Sequence, residues 1–424
     1  MSRKSRQRPA SILLIVSVTL LAVCFPRFSS GAEAPHPFNV AARSAVLLDA
    51  TSGEILYAQE PEKRIKPASF VKLLTLFVIF DAVKSGQVNL QDKVLISKKA
   101  WRTGGSKMFV RVGDRIPLTD IIKGIAVVSG NDACVAAAEY LQGSVEAFVD
   151  RMNEKLQELG LHNSKVQTVN GLPAADQYTT AEDMALLARA YIQAHPEALE
   201  YHKLKQFTHE KIRQRNRNGL LWRDPSVDGL KTGHTEAAGY HLLATAKRGD
   251  QRFIAVVMCA KSVAVREREA LRLLNYGFRN FATLRLFDQG QVLAEVVVRK
   301  GSEPRVGLVT REAGLVTVPA TKKDKVSWKT EIPKYVMAPV QQDQQLGTVN
   351  ILASGEVIKS LPLVASSAVP LGGIFKRTWD SLTLFAMNNQ RTVLSTIVIL
   401  CAIGVLFLVV RQRRASKARR KRKG

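Results

Sequence analysis

The chain has 424 residues, enough for two domains, and its 62 Lys and Arg outnumber its 36 Asp and Glu to give a formal charge of +26. Residues 1–32 hold +5 of that charge and residues 411–424 hold +9, leaving +12 between them. Clusters confined to the two ends exclude a nucleic-acid partner, and the four Cys and seven His show no metal-ligand spacing.

The chain opens with Arg3, Lys4, Arg6 and Arg8, an apolar run from Ile12 to Phe25, and small residues at Ser30, Gly31 and Ala32. This is the pattern of a secretory signal peptide spanning 1–32, cleaved after Ala32, and the run is short for a membrane span. Cys24 leaves with it, and Cys401 sits in a second apolar run near the other end. Cys134 and Cys259 lie in an apolar helical stretch and at the end of an apolar strand, and both read as small core residues.

In the exported body, Ser44–Ala50 and Glu54–Ala58 flank a turn and predict a β-hairpin. Helical patterns follow over 70–83, 117–142, 145–159, 180–194 and 263–280. Strand patterns return at Tyr240–Ala246 and Phe253–Cys259, on either side of Lys247-Arg248-Gly249-Asp250. Strands at both ends with helices between predict an α/β domain over residues 36–285 whose sheet pairs its termini. Over 286–368, Val- and Ile-rich runs (292–298, 314–319, 335–339, 347–351) predict a small all-β domain.

Residues 371–391 place Phe375, Trp379, Leu382 and Phe385 on one helical face, with Lys376, Arg377 and Asp380 elsewhere. Either an interfacial helix on a membrane or a linker helix packed on the β domain fits that pattern. Val393 to Val410 is uncharged and long enough to span a bilayer, and nine Lys and Arg follow it in 411–424. The positive-inside rule puts that tail in the cytoplasm and the body outside, as the leader also requires. The expected location is the plasma membrane, single-pass. The remaining basic excess serves either solubility or attraction to anionic lipids and acidic wall polymers.

Three short patterns carry the chemistry. Ser69-Phe70-Val71-Lys72 begins the first long helix, and its i, i+3 spacing puts a hydroxyl and an amine on one face. Serine needs a base, and lysine serves only if burial or nearby positive charge lowers its pKa. Ser129-Gly130-Asn131 separates two apolar helices, and Lys231-Thr232-Gly233 leads into the strand before Tyr240. S-x-x-K, S-x-N and K-T-G each occur once, in that order, 60 and then 102 residues apart. His162, His234 and His241 have no nucleophile elbow beside them, and His162 and His241 read as buried or polar-satisfied.

Together the three patterns resemble the active-site serine penicillin-recognising enzymes. Lys66–Ser69, Val128–Ala133 and Asp228–Thr235 are similar to the D-alanyl-D-alanine carboxypeptidases among the low-molecular-mass penicillin-binding proteins, as are Gln177–Met184 and the stretch from Asn216-Arg217-Asn218 to Trp222. The resemblance implies a transpeptidase/β-lactamase-like domain, an antiparallel sheet flanked by helices, followed by a small all-β domain and a C-terminal transmembrane helix. It implies Ser69 as nucleophile, Lys72 as its base and Ser129 as proton relay to the leaving amine. It implies that Asn131 hydrogen-bonds Lys72 and the substrate amide, and that Lys231 and Thr232 hold the terminal carboxylate, with the charge of Lys231 depressing Lys72. Gly233 leaves room for substrate, and the backbone amides of Ser69 and His234 form the oxyanion hole. The expected substrates are peptidoglycan stem peptides, with β-lactams as covalent inhibitors and no metal or organic cofactor. A class A β-lactamase is expected to carry Glu-x-x-Leu-Asn, which this chain lacks. A cross-link endopeptidase with the same residues, or a wall-binding scaffold that turns over poorly, are the other readings.

Overall fold

The computed structural model describes residues 38–421; the expected leader and the last three residues of the basic tail lie outside the described residues. The first apolar run forms β1 (Ser44–Asp49), which turns back into β2 (Ile55–Gln59) as the hairpin pattern predicts. Three later strands complete an antiparallel sheet: β3 (Val227–Thr235), β4 (Gly239–Arg248) and β5 (Gln251–Ala260), in the order β2-β1-β5-β4-β3. β1 pairs with β5 from Ser44 opposite Met258 to Asp49 opposite Phe253, so the sheet does join the domain's sequence ends. Every residue of β1 is buried, which explains its unbroken apolar run. Lys231-Thr232-Gly233 lies inside the edge strand β3 and does not merely lead into a strand: its pairing with β4 runs from Val227 to Thr235.

Helix α1 (Val71–Lys84) is buried almost all round and forms the centre of the core, so its sequence is apolar on every face. The expected helix over 117–142 is two, α2 (Leu118–Ala126) and α3 (Asn131–Gln142). The break falls at Ser129, whose φ of 62° no helix accommodates. Helices α4 (Val145–Glu158), α5 (Ala181–Ala194) and α6 (Val263–Asn280) start at Ser144, Thr180 and Ser262, each side-chain oxygen accepting from an otherwise orphaned amide of the first turn. Cys134 is buried in α3 as expected, whereas Cys259 is only half-buried; both are free thiols.

Beyond α6 the strand Phe281–Arg285 pairs with Leu315–Pro319, and six further strands form a separate sheet around its own apolar cluster. Arg305–Val309, Val326–Glu331 and Glu356–Ala365 belong to that sheet although polar residues and Pro362 obscure their pattern. Asp49 ties the two domains: the hydroxyls of Thr283 and Thr317 donate to its carboxylate, the latter at 2.9 Å.

Helix α7 (Ile374–Asn388) packs on the β domain, as one of its two expected readings had it. Asp380 is buried and accepts from the Lys300 amide at 2.6 Å, and Lys376 donates to the Ser302 carbonyl, so the polar side docks on the β domain. Phe375, Trp379, Leu382 and Phe385 are left exposed on the other side. Helix α8 (Gln390–Lys421) follows, and its Leu394–Arg411 segment, mean hydropathy 2.6, is long and apolar enough to cross a membrane.

Candidate active site

Ser69 sits in a short helical turn, Ala68–Phe70, that feeds α1 and leaves the serine half-buried. One turn on, Lys72 is fully buried, with Nζ 3.0 Å from Ser69 Oγ. Its second partner is the carbonyl of Asn170, to which the amine donates. Burial, reinforced by the charge of Arg217, pulls Lys72 down to about 8, although Asp132 and Cys134 push the other way. The resemblance expected the charge of Lys231 to help in this depression; the lowering causes here are burial and the charge of Arg217.

Gly171 makes the approach of the Asn170 segment feasible. Its φ is +80°, and a Cβ there would lie 1.8 Å from the Ala68 carbonyl oxygen, directly beneath the nucleophile's turn.

A second lysine–serine pair faces the first. Lys231 Nζ donates to Ser129 Oγ and to the Thr232 carbonyl, both at 3.0 Å. Burial, followed by the charges of Lys72 and Arg217, pulls Lys231 well below the ordinary lysine value. Asn131 takes a different course from the one expected: its side-chain amide donates to the Gly104 carbonyl at 2.7 Å, and its backbone amide to the Ser106 carbonyl. Its neighbour Asp132 accepts from the amides of Met108 and Phe109 at 2.8 and 2.9 Å. The Ser-x-Asn segment thereby fixes the course of residues 104–110.

Ser69, Ser129, Thr232, Gly233 and His234 share one cavity of about 470 Å³, joined by Ser106, Arg217 and Arg266. A Cβ on Gly233 would meet His241 and Ala68 at 3.3–3.4 Å, so glycine here permits close packing of β3 against the nucleophile's turn. The His234 ring stacks on Tyr240 at 4.1 Å. His241 is buried as expected: its Nδ1 accepts from the Cys259 amide, which leaves Nε2 to donate to the Lys66 carbonyl. His162, in contrast, is exposed and lies away from the cavity's lining.

Sequence reasoning missed the roles of Asn170, Gly171, Arg217 and Arg266. Arg217 did carry a signal, since Asn216-Arg217-Asn218 stood among the resembling stretches without a function attached. Arg266 is buried on α6 and donates to the carbonyls of His241 and Arg217, a contact invisible to spacing.

Residues 30–262 match the family described as D-alanyl-D-alanine carboxypeptidase, and residues 281–371 match the penicillin-binding protein 5 C-terminal domain. The chain belongs to the D-alanyl-D-alanine carboxypeptidase family. D-alanyl-D-alanine carboxypeptidase DacC of Escherichia coli (strain K12) is 41% identical over 357 residues, covering 82% of this chain and 88% of that relative. DacF of Bacillus subtilis (strain 168) is 35% identical over 359 residues, 81% of this chain and 90% of its own. Among solved structures, penicillin-binding protein 5 from Haemophilus influenzae superimposes with a TM-score of 0.76 at 38% identity, covering 80% of this chain and all of that one. Penicillin-binding protein D2 from Listeria monocytogenes, in its ampicillin-bound form, gives 0.53 at 28% identity over 57% of this chain and 99% of its own. This carboxypeptidase is accordingly a serine-type hydrolase with a penicillin-binding-protein fold and a C-terminal all-β domain.

Proposed function

We propose that this enzyme removes the terminal D-alanine from peptidoglycan pentapeptide stems through an acyl-enzyme on Ser69. The observation that carries the assignment is the buried Lys72 amine 3.0 Å from Ser69 Oγ, with its pKa lowered to about 8. A neutral amine at that distance is a competent base. Ser69 Oγ attacks the carbonyl between the two D-alanines as its proton passes to Lys72. The tetrahedral oxyanion is held by the backbone amides of Ser69 and His234. Collapse breaks the peptide bond, and Ser129, hydrogen-bonded to Lys231, relays the proton that Lys72 took up to the departing amine of D-alanine, which leaves Lys72 neutral again. Water then attacks the ester, again with Lys72 as base, and the shortened stem leaves with Ser69 restored.

Thr232 and Arg217 line the cavity, and Lys231, buried behind it on Ser129, adds positive charge to the end that suits the substrate's terminal carboxylate. Asn131 holds the Gly104–Ser106 wall and, through that wall, the substrate amide's position. β-Lactams would acylate the same serine; a relative of this fold is described in ampicillin- and cefotaxime-bound forms. The span Leu394–Arg411 followed by the basic tail supports a single-pass anchor with the catalytic domain outside the cytoplasm. The exposed apolar side of α7 supports an interfacial position beside that span.

The test is D-alanine release from a D-Ala-D-Ala-ended pentapeptide by the detergent-solubilised chain and its Ser69→Ala variant, alongside labelling with a fluorescent penicillin. Release and labelling should both vanish in Ser69→Ala. Labelling that persists at another residue would overturn the assignment, and wild-type labelling without D-alanine release would move the role to cross-link cleavage or stem binding.

A further inference from the structure

A second groove, of about 500 Å³, lies between the 101–111 segment and the tip of the hairpin formed by Gln206–His209 and Ile212–Arg215. Its apolar lining is exposed: Trp101, Phe109 and Ile212 are 45%, 47% and 41% accessible. Lys107, Arg111 and Lys211 line it against the single acid Glu210. Large side chains that face solvent together, ringed by excess positive charge, form a surface for a ligand that has flat apolar faces and negative charge.

This groove is built from the same segments as the active site. Its first wall continues from Ser106, which lines the catalytic cavity, into Lys107. Its second wall leads out of Arg215 and reaches Arg217, which lines that cavity as well. The two walls are joined by the Gln214 side-chain amide, which donates to the Lys107 carbonyl at 3.2 Å. Asp132, next to Asn131, grips the amides of Met108 and Phe109, and this hold keeps Phe109 at a φ of 71°. For a residue with a bulky side chain that conformation is unfavourable, and it persists only where surrounding bonds impose it.

Resting on the carboxypeptidase reading, we infer that this groove binds the part of the wall strand that the reaction leaves untouched, the sugar rings with the acidic portion of the stem they carry. Hexosamine rings present apolar faces that stack on Trp101 and Phe109, and stem carboxylates meet Lys107, Arg111 and Lys211. On this reading a short D-Ala-D-Ala peptide, which carries neither sugar nor the acidic portion of the stem, makes no use of the groove. Binding energy from the remote part of the substrate then raises kcat/KM only for glycan-linked stems.

The experiment compares two substrates, a disaccharide-linked muramyl pentapeptide and an N-acetylated tripeptide ending in D-Ala-D-Ala, on the solubilised chain. Trp101→Ala tests one wall, and Lys211→Glu, on the hairpin, tests the other independently. Each variant is expected to lose about tenfold in kcat/KM on the disaccharide substrate, the scale of one aromatic or charged anchor. Turnover of the tripeptide should stay within about twofold, which also reports an intact fold and an intact Asn131. The loss in Lys211→Glu should shrink at high salt. Equal effects on both substrates, or no effect on either, would overturn the groove assignment. If wild type hydrolyses neither substrate, the carboxypeptidase reading fails instead.

Discussion

At the junction of the two domains Asp49 is wholly buried, yet its carboxylate meets the amides of Thr51 and Ser52 at 2.7 and 3.1 Å and the hydroxyls of Thr283 and Thr317. In the catalytic cavity Lys72 and Lys231 are just as buried, the charge of Lys72 presses further on Lys231, and among the described residues neither ion-pairs with a carboxylate. Asp132, the carboxylate whose charge acts on Lys72, is occupied by backbone amides. A buried charge with every lone pair answered holds a structure together. Buried cations with hydroxyls and carbonyls for company are poised to lose protons, which is what a base beside a serine requires.

The largest effect should come from breaking the unsatisfied side of this comparison. Lys72→Arg keeps a cation that cannot give up its proton at any working pH. Acylation by a fluorescent penicillin should slow by a factor on the order of 10³ or more, while the fold, read by thermal unfolding, changes far less. In wild type the acylation rate should rise with pH, because the active form is neutral Lys72, and its midpoint should fall near 8. A rate that is flat through pH 7 to 9, or a Lys72→Arg variant of ordinary speed, would remove Lys72 as base.

The two charge sites differ also in how far sequence alone reveals them. Ser69 and Lys72 share a face because of helical spacing, and Lys231-Thr232-Gly233 is contiguous, so local geometry made both legible. The helices over 145–158, 181–194 and 263–280 were legible from periodicity and caps, and the hairpin from its turn. Asn170 reaches Lys72 across 98 residues, and Asp49 meets Thr317 across 268. No spacing rule anticipates such pairs, since only the closed sheet and the docked domain create them. Ser129 was legible as a motif but not as a left-handed break, and the course of Asn131 depends on the Gly104 carbonyl that it meets. In the β domain, strands with one polar face blurred into turns.

Breaking the satisfied side should cost stability and spare chemistry. Asp49→Ala strands the Thr283 and Thr317 hydroxyls at the junction and should destabilise the folded chain by about 3 kcal/mol, as removal of one partner from a buried polar network does. Thermal unfolding of the solubilised chain measures the loss. kcat on a short D-Ala-D-Ala substrate should remain within about twofold. A variant with unchanged stability but depressed turnover would mean that Asp49 acts on the site, and the division drawn between the two charges would fail.

The smallest effect tests the cause of the lysine's low pKa. Burial dominates it, and Arg217 is the cation that adds to it, so Arg217→Gln should move the acylation midpoint upward and leave it below the ordinary lysine value. At neutral pH the neutral fraction of Lys72 falls with that shift, and acylation should slow by less than about tenfold. Much of the rate should return as pH is raised, which separates a proton effect from a lost carboxylate contact. Arg217 also lines the cavity, so a peptide substrate should show a raised KM that pH does not repair. A midpoint that stays in place would assign the whole depression to burial. The cation cluster would then owe its poise to desolvation alone, and the contrast with Asp49 would rest on hydrogen bonding and not on opposed charge.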